Sequence, residues 1–231
     1  RSIADFHLGG RQDQLAQVQQ TLSGLYRVET PTDILSAQAA QVFNTINQLQ
    51  DIAEQNYTPQ YGAQYPESEF GYGLRQIAQL IKADIGLEVA CVDSGGWDTH
   101  DGQGSVDGEM AYLLDDFAQG LAAFYADIQD HIHRVTVVTM SEFGRTASEN
   151  ASAGTDHGRA SVMFVMGGGA TGGVYADWRG LTDDVMDEGD LAVTTDYRDI
   201  LAELLIKRVK NTAIDQIFPN HHVNLHDLFV E

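Results

Sequence analysis

Apolar residues recur at three- and four-residue steps along much of the chain, a spacing that predicts helices with one buried stripe. The longest such stretch runs from Pro31 to Gln55 and aligns Ile34, Leu35, Ala39, Val42, Phe43, Ile46, Leu49 and Ile52, with Thr30 as the expected N-cap and Pro31 at the first helical position. A Gln-, Leu- and Ala-rich stretch from Asp13 to Tyr26 predicts a helix ahead of it. Tyr57 to Pro66, broken by prolines, predicts a loop. Two more helices are expected over Glu69 to Asp84 and Gly108 to Gln129, and a last one from Thr195 as N-cap to about Lys210, with Ile200, Leu201, Leu204 and Leu205 inward.

Short apolar, β-branched runs lie between these helices: Leu87 to Asp93 (L-E-V-A-C-V-D), Val135 to Met140 (V-T-V-V-T-M) and Val162 to Met166. Helices alternating with buried strands predict an α/β fold, organised as a helical segment (1–66) packing on an α/β core with a C-terminal helix and tail (67–231). Each run adjoins a polar loop: Ser94 to His100 (S-G-G-W-D-T-H), Ser141 to Arg145 (S-E-F-G-R) and Gly154 to Gly158 (G-T-D-H-G). Open α/β sheets place ligands at such strand ends. The glycines that follow Met166 lack the Lys-Ser/Thr of a phosphate-binding loop and predict a tight turn.

Composition narrows the partners. With 34 acidic and 13 basic residues among 231, the formal net charge is -21, which argues against nucleic acid and anionic membrane because both present phosphates to a repelling surface. Hydrophobic content of 43% fills a real core. No run of 18 apolar residues predicts a membrane span. The single cysteine, Cys91, sits within an apolar run and is expected to be a small core residue; with no second thiol there is no intrachain disulfide or thiolate cluster.

The candidate chemistry lies in the three loops. Asp98 and His100 are alternate residues of an extended segment, so both side chains project to one side and can converge on an ion; an Asp that caps a turn beside a satisfied His is the alternative. Asp156 and His157 form a second carboxylate–imidazole pair, and Glu142 supplies a further acid. Carboxylate and imidazole donors without thiols suit Zn²⁺, Mn²⁺, Mg²⁺ or Ca²⁺. Arg145 carries the fork that holds a phosphoryl or sulfuryl oxygen; pairing with Glu142 or Asp156 is its other reading, and Glu142 is equally read as a structural carboxylate. His221, His222 and His226 form a looser tail cluster, and Tyr57, Tyr61 and Tyr65 an aromatic loop of the kind that stacks on sugars.

In fixed order, G-G-W-D-T-H, V-T-V-V-T-M-S-E-F-G-R-T, E-N with G-T-D-H-G, F-V-M-G-G-G and V-T-T-D-Y-R-D-I-L-A-E resemble domain-of-unknown-function family 1501, closely from about Phe70 to Pro219. That bacterial group is usually exported by the twin-arginine route and placed in the alkaline phosphatase/sulfatase superfamily. The resemblance implies an alkaline-phosphatase-like sheet flanked by helices, with metals at strand ends. It assigns Asp98, His100 and the returning His157 to a first ion, with Asp156 beside them, and Glu142 to a second. Phe143 stands where the superfamily typically has a His ligand, and the family's N-terminal Asp-Gly-Gly strand region is absent, so the chain is expected to be the C-terminal part of a longer protein.

Two functions follow. One is a secreted, periplasmic or cell-surface metal-dependent hydrolase of phosphate or sulfate esters, taking a small anionic ester, with Arg145 steadying the substrate anion. The other is a non-catalytic extracellular component of a surface layer, filament or matrix, with protein partners and self-association as options.

Overall fold

The computed structural model describes residues 14–30 and 32–230. It is a mixed fold of helices and small antiparallel sheets: α1 (Leu15–Leu25), α2 (Ile34–Ala53), α3 (Glu69–Ala83), α4 (Glu109–Asp127), a 3₁₀ turn (Ile132–Arg134), β1 (Thr136–Val138), β2 (Gly144–Arg145), β3 (His157–Gly158), β4 (Val165–Gly167), α5 (Tyr197–Leu204) continuing as a π-helical segment (Leu205–Val209), and the single turn α6 (Ile214–Ile217). The chain divides into two compact units, residues 1–94 with 116–128, and residues 95–115 with 129–231.

The first unit is helical, and its core follows the apolar stripes: Phe43, Ile46 and Ile52 of α2, Phe70, Leu74 and Ala78 of α3, and Ala123 and Phe124 of α4 are buried. Phe70 stacks on Phe117, with ring centroids 5.6 Å apart, and a Cβ at Gly120 would meet the Phe70 ring at 2.7 Å, so a glycine on α4 is what lets that ring sit down. At the start of α2 the cap is Asp33, not Thr30, because the Asp33 carboxylate accepts the Ser36 N–H and ends one of the orphan donors of the first turn. Pro31 lies outside the described residues. Ser68 caps α3 in the same way, accepting the Gly71 N–H at 3.0 Å while donating to Asp116.

A buried carboxylate ties this unit together. Asp127, at the end of α4, accepts from the hydroxyls of Tyr57 and Tyr65, the backbone N–H of Gln60 and the Lys82 ammonium. Two of the three tyrosines expected to offer aromatic surface are thus turned inward as donors. Burial pushes the Asp127 carboxyl up, but Lys82, Tyr57, Gln60 and Tyr65 together outweigh it and hold the group below the usual carboxylate range.

Leu87 to Asp93 is the main correction to the predicted elements. Among the described residues no strand pairs with it; Val89 is 79% exposed and Cys91 is exposed rather than buried. A short apolar run becomes a buried strand only when a neighbour takes its backbone hydrogen bonds, and here, among the described residues, none does. Only Val92 is half-buried, against α3 at Gly73.

The second unit holds the sheets. β1 and β4 pair antiparallel (Thr136 with Gly167, Val137 with Met166, Val138 with Val165), and β2 and β3 pair antiparallel (Gly144 with Gly158, Arg145 with His157). The strands at Val135 and Val162 therefore exist but are shorter than predicted. α5 opens at Asp196 rather than Thr195, since Asp196 accepts the Arg198 N–H. Its inward residues Ile200 and Leu204 pack with Leu228, Phe229, Met163 and Val165. The tail is held by Glu203, fully buried, which accepts the backbone N–H groups of His226 and Phe229 and pairs with Lys207.

Candidate metal centre

Two loops of the second unit, 96–103 and 150–157, are laced together by backbone hydrogen bonds: Gly102 N–H to Ser152 O, Gln103 N–H to Ala153 O, and Thr155 N–H to Thr99 O. Gln103 adds a side-chain stitch, its Oε1 accepting the hydroxyls of Thr99 and Thr155, each at 2.7 Å. The close approach demands glycine at 154, because a Cβ there would fall 2.4 Å from the carbonyl carbon of His100. Gly96, at φ 90°, takes the left-handed turn that leads into Trp97 and Asp98.

Antiparallel pairing of β2 with β3 sets Arg145 opposite His157, and both reach the same oxygen. Asp98 Oδ1 lies 2.8 Å from His157 Nε2, 2.9 Å from Arg145 Nη2 and 3.0 Å from His100 Nε2. The ligand atoms of Asp98, His100 and His157 all fall within 4.8 Å of one another. Side-chain exposures of 57%, 44% and 50% leave the cluster open to solvent. The hydrogen bond from His157 is the main influence on Asp98; with the charges of His100, His157 and Arg145 it overcomes a modest desolvation and holds the carboxyl below its usual range.

Asp156 stands behind His100. Its Oδ1 is 2.8 Å from Nδ1, the ring nitrogen that faces away from Asp98, and this bond, followed by one from Asn150, keeps Asp156 below the usual carboxylate range. Phe143 lies flat on the His157 ring, centroids 3.9 Å apart at 14°, and so fixes that imidazole by packing. Glu142 is exposed and is not part of the group.

Arg145 is tied down. Nη1 donates to Thr155 O, and Nη2 to both Trp97 O and Asp98, which uses three of its five N–H donors; Nε is buried and has no partner among the described residues. Of the six residues singled out in sequence, Asp98, His100, His157, Arg145 and Asp156 are thus brought together, and Glu142 is not.

The family model described as Protein of unknown function (DUF1501) matches residues 4–213. The chain belongs to that family. No curated protein and no solved structure matches it.

Sequence reasoning missed two residues of this DUF1501 site. Gln103 carries only the signal of an ordinary loop amide and Asn150 stands in the E-N of the family resemblance without an assigned role; their importance comes from the lacing of two loops far apart in sequence. The tail histidines His221 and His226 serve another carboxylate, Asp199, with His221 Nε2 at 2.7 Å and His226 Nε2 at 3.7 Å.

Proposed function

We propose that Asp98, His100 and His157 hold one divalent cation and that the chain is a secreted or cell-surface hydrolase of phosphate or sulfate esters, arranged in the manner of the alkaline phosphatase/sulfatase superfamily. The observation that carries this is the convergence of three ligand atoms within 4.8 Å on loops that are cross-laced by backbone hydrogen bonds. The donor set of one carboxylate and two imidazoles suits Zn²⁺ or Mn²⁺ better than Mg²⁺ or Ca²⁺, which prefer oxygen. When bound, such an ion acts as a Lewis acid toward an ester oxygen and lowers the pKa of water.

The chain's own residues supply the rest. Asp156 accepts from His100 Nδ1 and thereby turns Nε2 toward Asp98, the carboxylate–histidine pairing that orients metal ligands. Phe143 holds the plane of His157. Arg145 fixes Asp98 and two backbone carbonyls, so its first task is positioning; with Nε buried, the remaining Nη1 donor is what it has left for an anion.

Metal analysis and calorimetric titration of chelator-treated protein with Zn²⁺ and Mn²⁺ test this directly. One equivalent should bind, Asp98→Ala should abolish uptake, and aryl phosphates or sulfates should turn over only in the loaded protein. Substoichiometric metal in the wild-type chain would refute the proposal.

Phe143 and Glu142 favour a second reading. An aromatic ring packs against His157 where the superfamily would place a further ligand, and Glu142 stays outside the cluster, so a single structural ion in a non-catalytic extracellular protein accounts for the same geometry. One bound metal without turnover of either ester class would select it; turnover abolished by His157→Ala would exclude it.

A further inference from the structure

We infer that Asn150 is a positioning residue for the proposed metal centre, setting both His100 and the carboxylate behind it. This rests on the metal reading above. Asn150 uses every hydrogen-bonding site it has in this one place. Its Nδ2 donates to His100 O at 2.9 Å and to Asp156 Oδ1 at 3.0 Å, while its Oδ1 accepts the N–H groups of Ser152 at 2.9 Å and Gly154 at 3.1 Å. An amide offers two donors on one end and acceptor lone pairs on the other, so no other common side chain of this size matches both ends.

The two ends do different things. The Oδ1 end closes an Asx-type turn over residues 150–154 and shapes the loop that brings Asp156 round. The Nδ2 end grips the backbone of His100 and the same oxygen, Asp156 Oδ1, that receives His100 Nδ1. Without that donor, Asp156 is a 60% exposed carboxylate free to rotate into water. His100 would then lose the Asp156 partner at Nδ1 that keeps Nε2 directed at Asp98. Outer partners of this kind typically change metal affinity by about 10- to 100-fold.

The test separates shaping the loop from positioning the ligand. Asn150→Ala removes both ends. Asn150→Asp keeps the acceptors for Ser152 and Gly154 but sets a carboxylate oxygen against Asp156 and His100 O. In each variant two things are read: the His100 Nδ1–H by imidazole ¹H–¹⁵N correlation of the metal-free protein, and Zn²⁺ affinity by calorimetry. The wild type should show a protected, hydrogen-bonded Nδ1–H; both variants should lose it and bind Zn²⁺ about 10- to 100-fold more weakly. Retention of that proton and of wild-type affinity in both variants overturns the inference. If the wild type binds no Zn²⁺ the metal reading fails by itself, and the Nδ1–H result still decides whether Asn150 positions His100.

Discussion

At the scale of single residues, two buried groups carry the sharpest consequences. Asp127 is fully enclosed with a lysine, two tyrosines and a backbone donor around it. Asp127→Ala leaves the Lys82 charge and two hydroxyls without a partner, and breaking a buried pair in this way is expected to destabilise the fold by about 3–5 kcal/mol, measurable as a shifted urea midpoint. The pH dependence has a definite sign. Because the folded carboxyl lies below its usual range, its stabilisation is complete above about pH 4 and is lost as pH falls through the folded value. Wild-type melting temperatures should therefore drop in acid below pH 4, and Asp127→Asn should lack that part of the drop. Gly154 is the second case: alanine there places a methyl group against the His100 backbone and should push the laced loops apart, costing about 1–3 kcal/mol and weakening Zn²⁺ binding together. Asp127 is not legible in sequence, where it is one acid among 34; Gly154 opens the G-T-D-H-G loop, but its contact with the His100 backbone is not written there.

At the scale of elements, periodicity served the helices well and the strands poorly. α3 spans Glu69–Ala83 and α4 Glu109–Asp127, close to the stretches that the apolar stripes predict. A helix satisfies its own backbone, so its pattern is complete within one segment. A strand depends on a partner, and the short apolar run Leu87 to Asp93 has none among the described residues. Helix caps follow the same logic at smaller size: Ser68 serves α3 because its hydroxyl reaches Gly71 N–H, and Ser68→Ala should destabilise by about 1 kcal/mol in a denaturant titration. Glu203 of α5 anchors the C-terminal tail at residues 226 and 229, beside the Asp199 carboxylate that accepts the Asn224 N–H. Glu203→Ala strips the acceptors from the N–H groups of His226 and Phe229, and faster amide exchange over residues 226–230, with earlier proteolytic cleavage there, is the expected result.

At the scale of the whole molecule, charge is the governing fact. A net charge of -21 spread over 231 residues repels itself, so screening should stabilise the fold. Raising salt from about 10 mM to about 1 M shortens the Debye length from about 30 Å to about 3 Å, and the melting temperature should rise by about 2–4 °C for each kcal/mol of repulsion removed. A fall across that range in scanning calorimetry would contradict this account. No helix among the described residues is long and apolar enough to cross a membrane. The sequence by itself determined the acidic character, the helices and the three loops that carry Asp98 and His100, Glu142 and Arg145, and Asp156 and His157, because each of these is written in residues that are adjacent or a few positions apart. Tertiary structure alone decided that Asp98 is shared by His100, His157 and Arg145, that Asp156 stands behind His100 rather than beside it, and that Glu142 is left out. Those outcomes turn on which ring nitrogen faces which oxygen across loops some 50 residues apart, a matter of register and close backbone approach that no local pattern encodes.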